Sequence, residues 1–216
     1  LGVPDIGLLT VTEMLDRVRH IVDAVDIPVV ADMDTGYGNP LNVVRTVQEC
    51  VRLGVAGIIL EDQLWPKKCG HMEGKSVIPM EEQVEKLRAA VYARGGEDLI
   101  IIGRTDARAP LGLDEAIRRG RAYAEAGADV IFVESPESVE ELQEVGRAFE
   151  KPTLANMADG GKTPILPANQ LQDMGFSVAI FPGLGMLVAA AALESAYGSL
   201  LKDGTSANLE TPMIGL

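Results

Sequence analysis

Val55-Ala56-Gly57-Ile58-Ile59-Leu60-Glu61-Asp62-Gln63-Leu64-Trp65-Pro66-Lys67-Lys68-Cys69-Gly70-His71 begins as an apolar run and passes directly into reactive side chains. Its first six residues read as a strand buried on both faces. The eleven that follow carry two carboxylates, two ammonium groups, a thiol and an imidazole. A free thiol titrates near pH ~8.5, and neighbouring cations favour the thiolate. Cys69, between Lys67, Lys68 and His71 and followed by the bendable Gly70, therefore has the setting of a proton-transferring or nucleophilic cysteine. The competing reading is a solvated loop with an incidental cysteine.

The same grammar extends in both directions. Thr10 with Glu13 forms a capping-box pattern ahead of a helix over 12–25, and 29–31 is a strand that ends in Asp32-Met33-Asp34-Thr35-Gly36-Tyr37-Gly38. Asn39 and Pro40 are a cap and first residue for a helix that stops at Gly54. Helices are expected over 79–94, 113–126 and 169–174, after Ser138, and in the alanine-rich stretch beyond Gly185. Strands are expected over 99–103, 130–133, 152–157 and 177–181. About six β-then-α units in a row predict a parallel sheet covered on both faces.

A doubly wound open sheet and a (β/α)8 barrel both fit that alternation. What separates them is where the polar residues fall. Strand after strand ends in a functional group: Asp32 and Asp34, Glu61 and Asp62, Arg104 and Asp106, Glu134, then Asn156. An open sheet gathers its site at one switch point, whereas a barrel collects groups from many strand ends on one face. The expected fold is therefore α/β, a (β/α)8 TIM barrel forming one catalytic domain over 1–216, with its first strands lying before Leu1.

Composition narrows the function. The chain has 216 residues, 47% of them hydrophobic, and a net charge of −13, which suits a cation or a small ligand and argues against a nucleic-acid partner. Two cysteines, Cys50 and Cys69, make no disulfide framework, so a reducing compartment, the cytoplasm, is expected. The most apolar stretch, 178–193, is interrupted by Pro182, Gly183 and Gly185, short of the roughly 18 unbroken apolar residues of a membrane span. No membrane association is expected. His20 and Cys50 fall on helices and read as surface and packing residues.

Asp32 and Asp34, with Glu61 on the next strand, would repel one another unless a cation sits among them. Oxygen ligands without a histidine cluster suit Mg2+, or Mn2+, better than zinc. Taken alone, Asp32 and Asp34 also read as a solvated turn. Arg104 reads either as a salt-bridge partner of Glu134 or as a fork for a substrate carboxylate or oxyanion. The connections over 62–78 and 157–168 exceed the usual βα loop of about 2–6 residues, and the first, with Gly70 and Gly74 as hinges, is where a gating lid is expected.

At Pro66-Lys67-Lys68-Cys69-Gly70-His71 the chain resembles the signature loop of the isocitrate lyase and phosphoenolpyruvate mutase superfamily. The resemblance extends through Gly2-Val3-Pro4-Asp5, the Asp32 to Gly38 run, Glu61-Asp62-Gln63, Gly103-Arg104-Thr105-Asp106-Ala107, Val133-Glu134 and Ala155-Asn156-Met157. It implies an α/β barrel with Mg2+-dependent chemistry on small 2-oxo or 2-hydroxy acids, assembled as a homotetramer that exchanges a C-terminal helix. By position, Asp32, Asp34 and Glu61 match the metal-site carboxylates, direct or through water. Asp5, Gly70, Arg104, Glu134 and Asn156 match positions at the substrate, and Lys67, Cys69 and His71 match the gating loop, where lyase members use the cysteine as proton donor. The loop that holds the substrate's oxo-acid end is expected before Leu1, and the exchanged helix is expected to be cut short after Leu216. The cysteine loop favours a carbon–carbon lyase of the methylisocitrate, dimethylmalate or oxaloacetate type. A phosphonomutase of the carboxyphosphonoenolpyruvate mutase type and a non-catalytic ligand-binding barrel are the alternatives.

Overall fold

The computed structural model describes residues 2–215. Six parallel strands, β1 (Val30–Asp32), β2 (Gly57–Glu61), β3 (Ile100–Thr105), β4 (Val130–Val133), β5 (Thr153–Asn156) and β6 (Val178–Ile180), lie side by side in sequence order. An order that never reverses has no switch point, which rules out the doubly wound alternative and leaves a curled half-barrel.

Local chemistry sets the helices between them. α1 (Val11–Val22) starts at a capping box in which Thr10 and Glu13 satisfy each other's backbone N–H. α2 (Pro40–Arg52) starts at Asn39, whose side chain accepts from Leu41 and Asn42, with Pro40 at the first helical position. α3 (Met80–Arg94) follows the long connection. α4 (Arg108–Leu111) is a single turn in a stretch to which the sequence assigns no element; its Pro110 is tolerated because the first turn of a helix has no N–H partner to lose. α5 (Leu113–Glu125), α6 (Val139–Arg147), α7 (Ala168–Met174) and α8 (Leu184–Asp203) complete the chain. The Ser138 cap is formed, its side chain accepting from Glu141 N–H.

Side chains alternate across a strand, and here that alternation divides the molecule. Ala31, Ile58, Leu60, Ile101 and Ile131 face outward and pack with Val43, Val47, Cys50, Leu87 and Tyr123 of the helices. Ile59, Ile102, Val130, Phe132 and Leu154 form a separate cluster on the inner face. Cys50 is sealed in the outer core, as its helical position suggested, and burial pushes its thiol up to about 12.

α8 departs from expectation. Pro182 and Gly183 precede the helix and Gly185 lies in its first turn, so they do not interrupt it. By length and composition the resulting 20 residues are sufficient to cross a membrane. None of α8 is buried, and Leu184, Met186, Leu187, Val188, Leu193, Tyr197 and Leu201 are exposed.

Candidate active site

Two residues beyond the inner apolar layer, the same strand face turns polar. Ile59 is followed on that face by Glu61, Ile102 by Arg104, Phe132 by Glu134, Leu154 by Asn156 and Val30 by Asp32. The candidate site is thus the next storey of the barrel lumen, built on a hydrophobic floor. Glu61 is in register with Arg104 across the β2–β3 pair.

Arg104 organises this layer. Its Nε and Nη2 grip Asp106 at 2.9 and 3.1 Å, and Nη2 also stands 3.4 Å from Glu61 and 3.3 Å from Glu134, with the guanidinium 5.1 Å above the Phe132 ring. Among the described residues, no hydrogen bond or ion pair engages Nη1. Burial opposes the charge of Arg104, but Asp106, Glu134 and Glu61 hold its pKa well above the usual guanidinium value. The same pairing acts on Glu134. Against the opposing effect of burial, Arg104 and the hydrogen bond from His71 draw its carboxyl down to about 2.

Among the described residues, both carboxylate oxygens of Glu61 are buried without a hydrogen-bond partner. Burial first, then Asp106 and Asp32, push the Glu61 carboxyl well above its ordinary value. Asp32 opens onto the lumen and is also raised, chiefly by the surrounding protein and further by Asp34, while Arg104 and Lys67 work against the shift. Asp34, with φ +49°, accepts from Tyr37 at 3.3 Å and pairs with Lys67 at 2.8 Å. Among the described residues no three His, Cys, Asp or Glu side chains already stand as a ligand cage. The orphaned Glu61 oxygens next to Asp32 therefore fit a hard cation that keeps much of its own water, the habit of Mg2+.

The loop over 62–78 folds across this layer, and here the structure revises the surroundings of the thiol. Lys67 is buried and turns away from Cys69 to bridge Asp5 at 2.7 Å and Asp34 at 2.8 Å. Burial opposes its charge, yet Glu61, Asp34 and Asp32 keep its ammonium above the ordinary lysine range. Lys68 donates to the Gly74 carbonyl at 3.0 Å. His71 Nδ1 accepts the Lys162 N–H at 3.1 Å, so in the neutral ring the proton sits on Nε2, which faces Glu134 Oε1 at 3.2 Å. The three basic residues that flank Cys69 in sequence thus serve other partners: Lys67 and His71 turn to carboxylates, and Lys68 to a backbone carbonyl. Cys69 is half-buried and held by its backbone, its N–H donating to the Asp5 carbonyl at 3.1 Å and its carbonyl accepting from Met72 at 2.9 Å.

Gly70 lies so close to the site that a Cβ there would stand 2.6 Å from Arg104 Nη2 and from Glu134 Cγ and Cδ. Gly70→Ala is expected to hold the loop off the lumen and to lower kcat/KM about 10²-fold, the scale of an ångström-sized misplacement, with little change in Tm. Wild-type turnover in that variant would show that the close approach is dispensable.

Two participants, Lys75 and Ser135, escape a reading by sequence, and Asp106, legible there as a strand-end acid, joins them. Lys75 donates to the Gly70 carbonyl and, at 2.9 Å, to Asp106; Ser135, at φ +58°, reaches the Gly70 carbonyl at 2.9 Å; Asp106 ties Lys75 to Arg104. Together they fasten the loop to β3 and β4. Asp62, next to Glu61, points the other way. It accepts from Thr105 Oγ1, Asp106 N–H, Arg119 and Tyr123 at 2.7–2.9 Å on the helix side of the sheet, where it anchors the fold.

An acidic lumen at the carboxyl ends of parallel strands, closed by a cysteine-bearing loop, defines an α/β-barrel enzyme of carboxylic-acid chemistry. The phosphoenolpyruvate phosphomutase family model matches residues 1–201, and the chain belongs to that family, within the isocitrate lyase and phosphoenolpyruvate mutase superfamily. It is 49% identical to 2,3-dimethylmalate lyase of Eubacterium barkeri over 99% of this chain and 74% of that protein. It is 45% identical to 2-methylisocitrate lyase of Halalkalibacterium halodurans over 94% of this chain and 67% of that one. The structure of oxaloacetate acetylhydrolase in complex with the inhibitor 3,3-difluorooxalacetate superposes with a TM-score of 0.93 at 37% identity, covering 98% of this chain and 72% of that one. The expected superfamily and the expected class, a carbon–carbon lyase, both agree with these relatives.

Proposed function

We propose that the protein is a Mg2+-dependent lyase that cleaves a carbon–carbon bond in a small 2-hydroxy di- or tricarboxylate, or in oxaloacetate. The observation that carries this reading is Glu61, whose two buried oxygens make no hydrogen bond among the described residues and whose charge is felt together with that of Asp32 beneath the Cys69 loop. Asp32 would hold the ion directly, with Asp34 and Glu61 acting through its water. When bound, Mg2+ supplies Lewis-acid polarisation of the substrate's 2-oxygen.

The chain's own residues do the rest. Glu134 and Asn156 border the lumen where the substrate's carboxylates and hydroxyl would lie, and Asn156 Oδ1, buried without a partner among the described residues, awaits a donor. A carboxylate of the lumen would take the 2-hydroxyl proton as the adjacent carbon–carbon bond breaks; oxaloacetate, which has a carbonyl at that carbon, would first add water there to present the same hydroxyl. Arg104 Nη1 steadies the oxyanion that becomes the carbonyl product. Cys69 delivers a proton to the carbanion of the other fragment once the loop excludes water.

The test is turnover of 2-methylisocitrate, 2,3-dimethylmalate, oxaloacetate and isocitrate with Mg2+. One of them is expected to be cleaved, with activity lost on chelation and restored by Mg2+ but not by Ca2+. The family's phosphomutase name favours a second reading, rearrangement at a carbon–phosphorus bond. A new phosphorus NMR signal from a phosphonate, together with inert carboxylates, would replace the first proposal, and inertness toward both classes would leave a ligand-binding barrel.

The exposed apolar face of α8 supports assembly with further copies of the chain, as a homotetramer exchanging this helix, in preference to membrane insertion. The free thiols Cys50 and Cys69 support a cytoplasmic setting.

A further inference from the structure

On the outer side of the gating loop, away from the lumen layer, the molecule holds a second cavity of ≈ 580 Å³. That is within the range of small-molecule sites, about 300–1,000 Å³. Its walls are mostly apolar: Leu9 and Val11 at the start of α1, Tyr37 after β1, Leu64 and Trp65 of the loop, and Ile78 ahead of α3. Tyr37 and Trp65 form a tilted aromatic pair with centroids 6.3 Å apart.

The wall that α3 contributes carries Lys86, which is only 4% exposed. Among the described residues, no hydrogen bond or ion pair engages its Nζ. Lys86 is one of the residues that line the cavity, so an anion bound there comes within reach of its side chain. A buried ammonium with no partner is costly, and an anion that supplies the missing acceptor recovers that cost. Burial draws the Lys86 ammonium below the ordinary lysine range, while Glu82, Asp62 and Glu61 oppose the shift. Glu82 lies exposed at the rim, where it disfavours ligands with a second negative charge near the mouth.

The geometry points to a second ligand site here, one that takes a small monocarboxylate with an apolar body, its carboxylate on Lys86 and its hydrocarbon between Tyr37, Leu64 and Trp65. The lumen layer is rich in acids and polar groups and suits short polycarboxylates; this cavity has the opposite preference. Because Leu64 and Trp65 belong to the segment that carries Cys69, a ligand in the cavity stiffens the loop from behind.

Trp65 is the single tryptophan of the chain, so its emission reports the cavity directly. Titration of the intact protein with hexanoate is expected to give a saturable change in that emission, with hexanol and hexylamine at least about tenfold weaker, as for loss of a charge-assisted hydrogen bond. Lys86→Met keeps the side-chain length and removes the charge, and is expected to weaken hexanoate by the same factor. A second measurement needs no variant: hexanoate should protect Lys86 of the wild-type protein from acetic anhydride, read by mass spectrometry. No saturable response, a response that survives Lys86→Met, or acetylation of Lys86 undiminished by hexanoate would each overturn the assignment.

Discussion

Cys69→Ser is expected to lower kcat by about two to four orders of magnitude, the usual range for loss of a positioned general acid, while the fold and Mg2+ affinity persist. The prediction is sharp because the loop does not depend on the thiol for its shape. Cys69 is fixed through its backbone to Asp5 and Met72, and the loop is fastened by Lys75 and Ser135 to the Gly70 carbonyl. A serine hydroxyl fits the same backbone but gives up a proton far less readily than a thiol. KM should change little, since the groups that border the substrate come from the strands. A variant with undiminished kcat would remove Cys69 from the proton-transfer step and with it the role of the loop as acid.

The second large effect falls on stability. Asp62→Ala removes one carboxylate that serves Thr105, Asp106, Arg119 and Tyr123 at 2.7–2.9 Å, and leaves Arg119, itself 5% exposed, without its buried counter-ion. Breaking a buried pair from one side costs about 3–5 kcal/mol, which should appear in denaturant unfolding as a lower midpoint at unchanged slope. Asp62→Asn retains an acceptor but no charge and should lose less. If Asp62→Ala unfolds at the wild-type midpoint, the anchor assigned to this residue is absent.

Glu61 and Asp62 also show what a reader of the sequence can and cannot extract. The barrel was legible because polar residues punctuate successive apolar runs at Asp32, Glu61, Arg104, Glu134 and Asn156, and one spacing rule, two residues past an inward apolar side chain, places all five in the lumen. That rule also separates Glu61 from Asp62, once β2 is known to end with Glu61 on the inner face. The partners of the loop were not legible. Lys67 meets Asp5 across 62 positions and Ser135 meets Gly70 across 65, contacts made by the fold and by no local pattern. The proximity of Lys67, Lys68 and His71 to Cys69 along the chain suggested an electropositive thiol, but a lysine's length lets it serve a carboxylate well away from its neighbours. No sequence pattern marks the single turn α4, and Pro182, Gly183 and Gly185 around the start of α8 disguised the length of that helix.

The alternation along β2 has a consequence for how this chain can change. Neighbouring positions answer to different demands: one looks toward whatever molecule enters the barrel, the next toward the helices that keep the sheet upright. A substitution at an inner position can redirect chemistry while the scaffold stays standing, and one at an outer position can topple the scaffold without altering what the lumen recognises. Selection for a new substrate therefore has access to every second residue of each strand, a short list of positions in a molecule otherwise committed to staying folded.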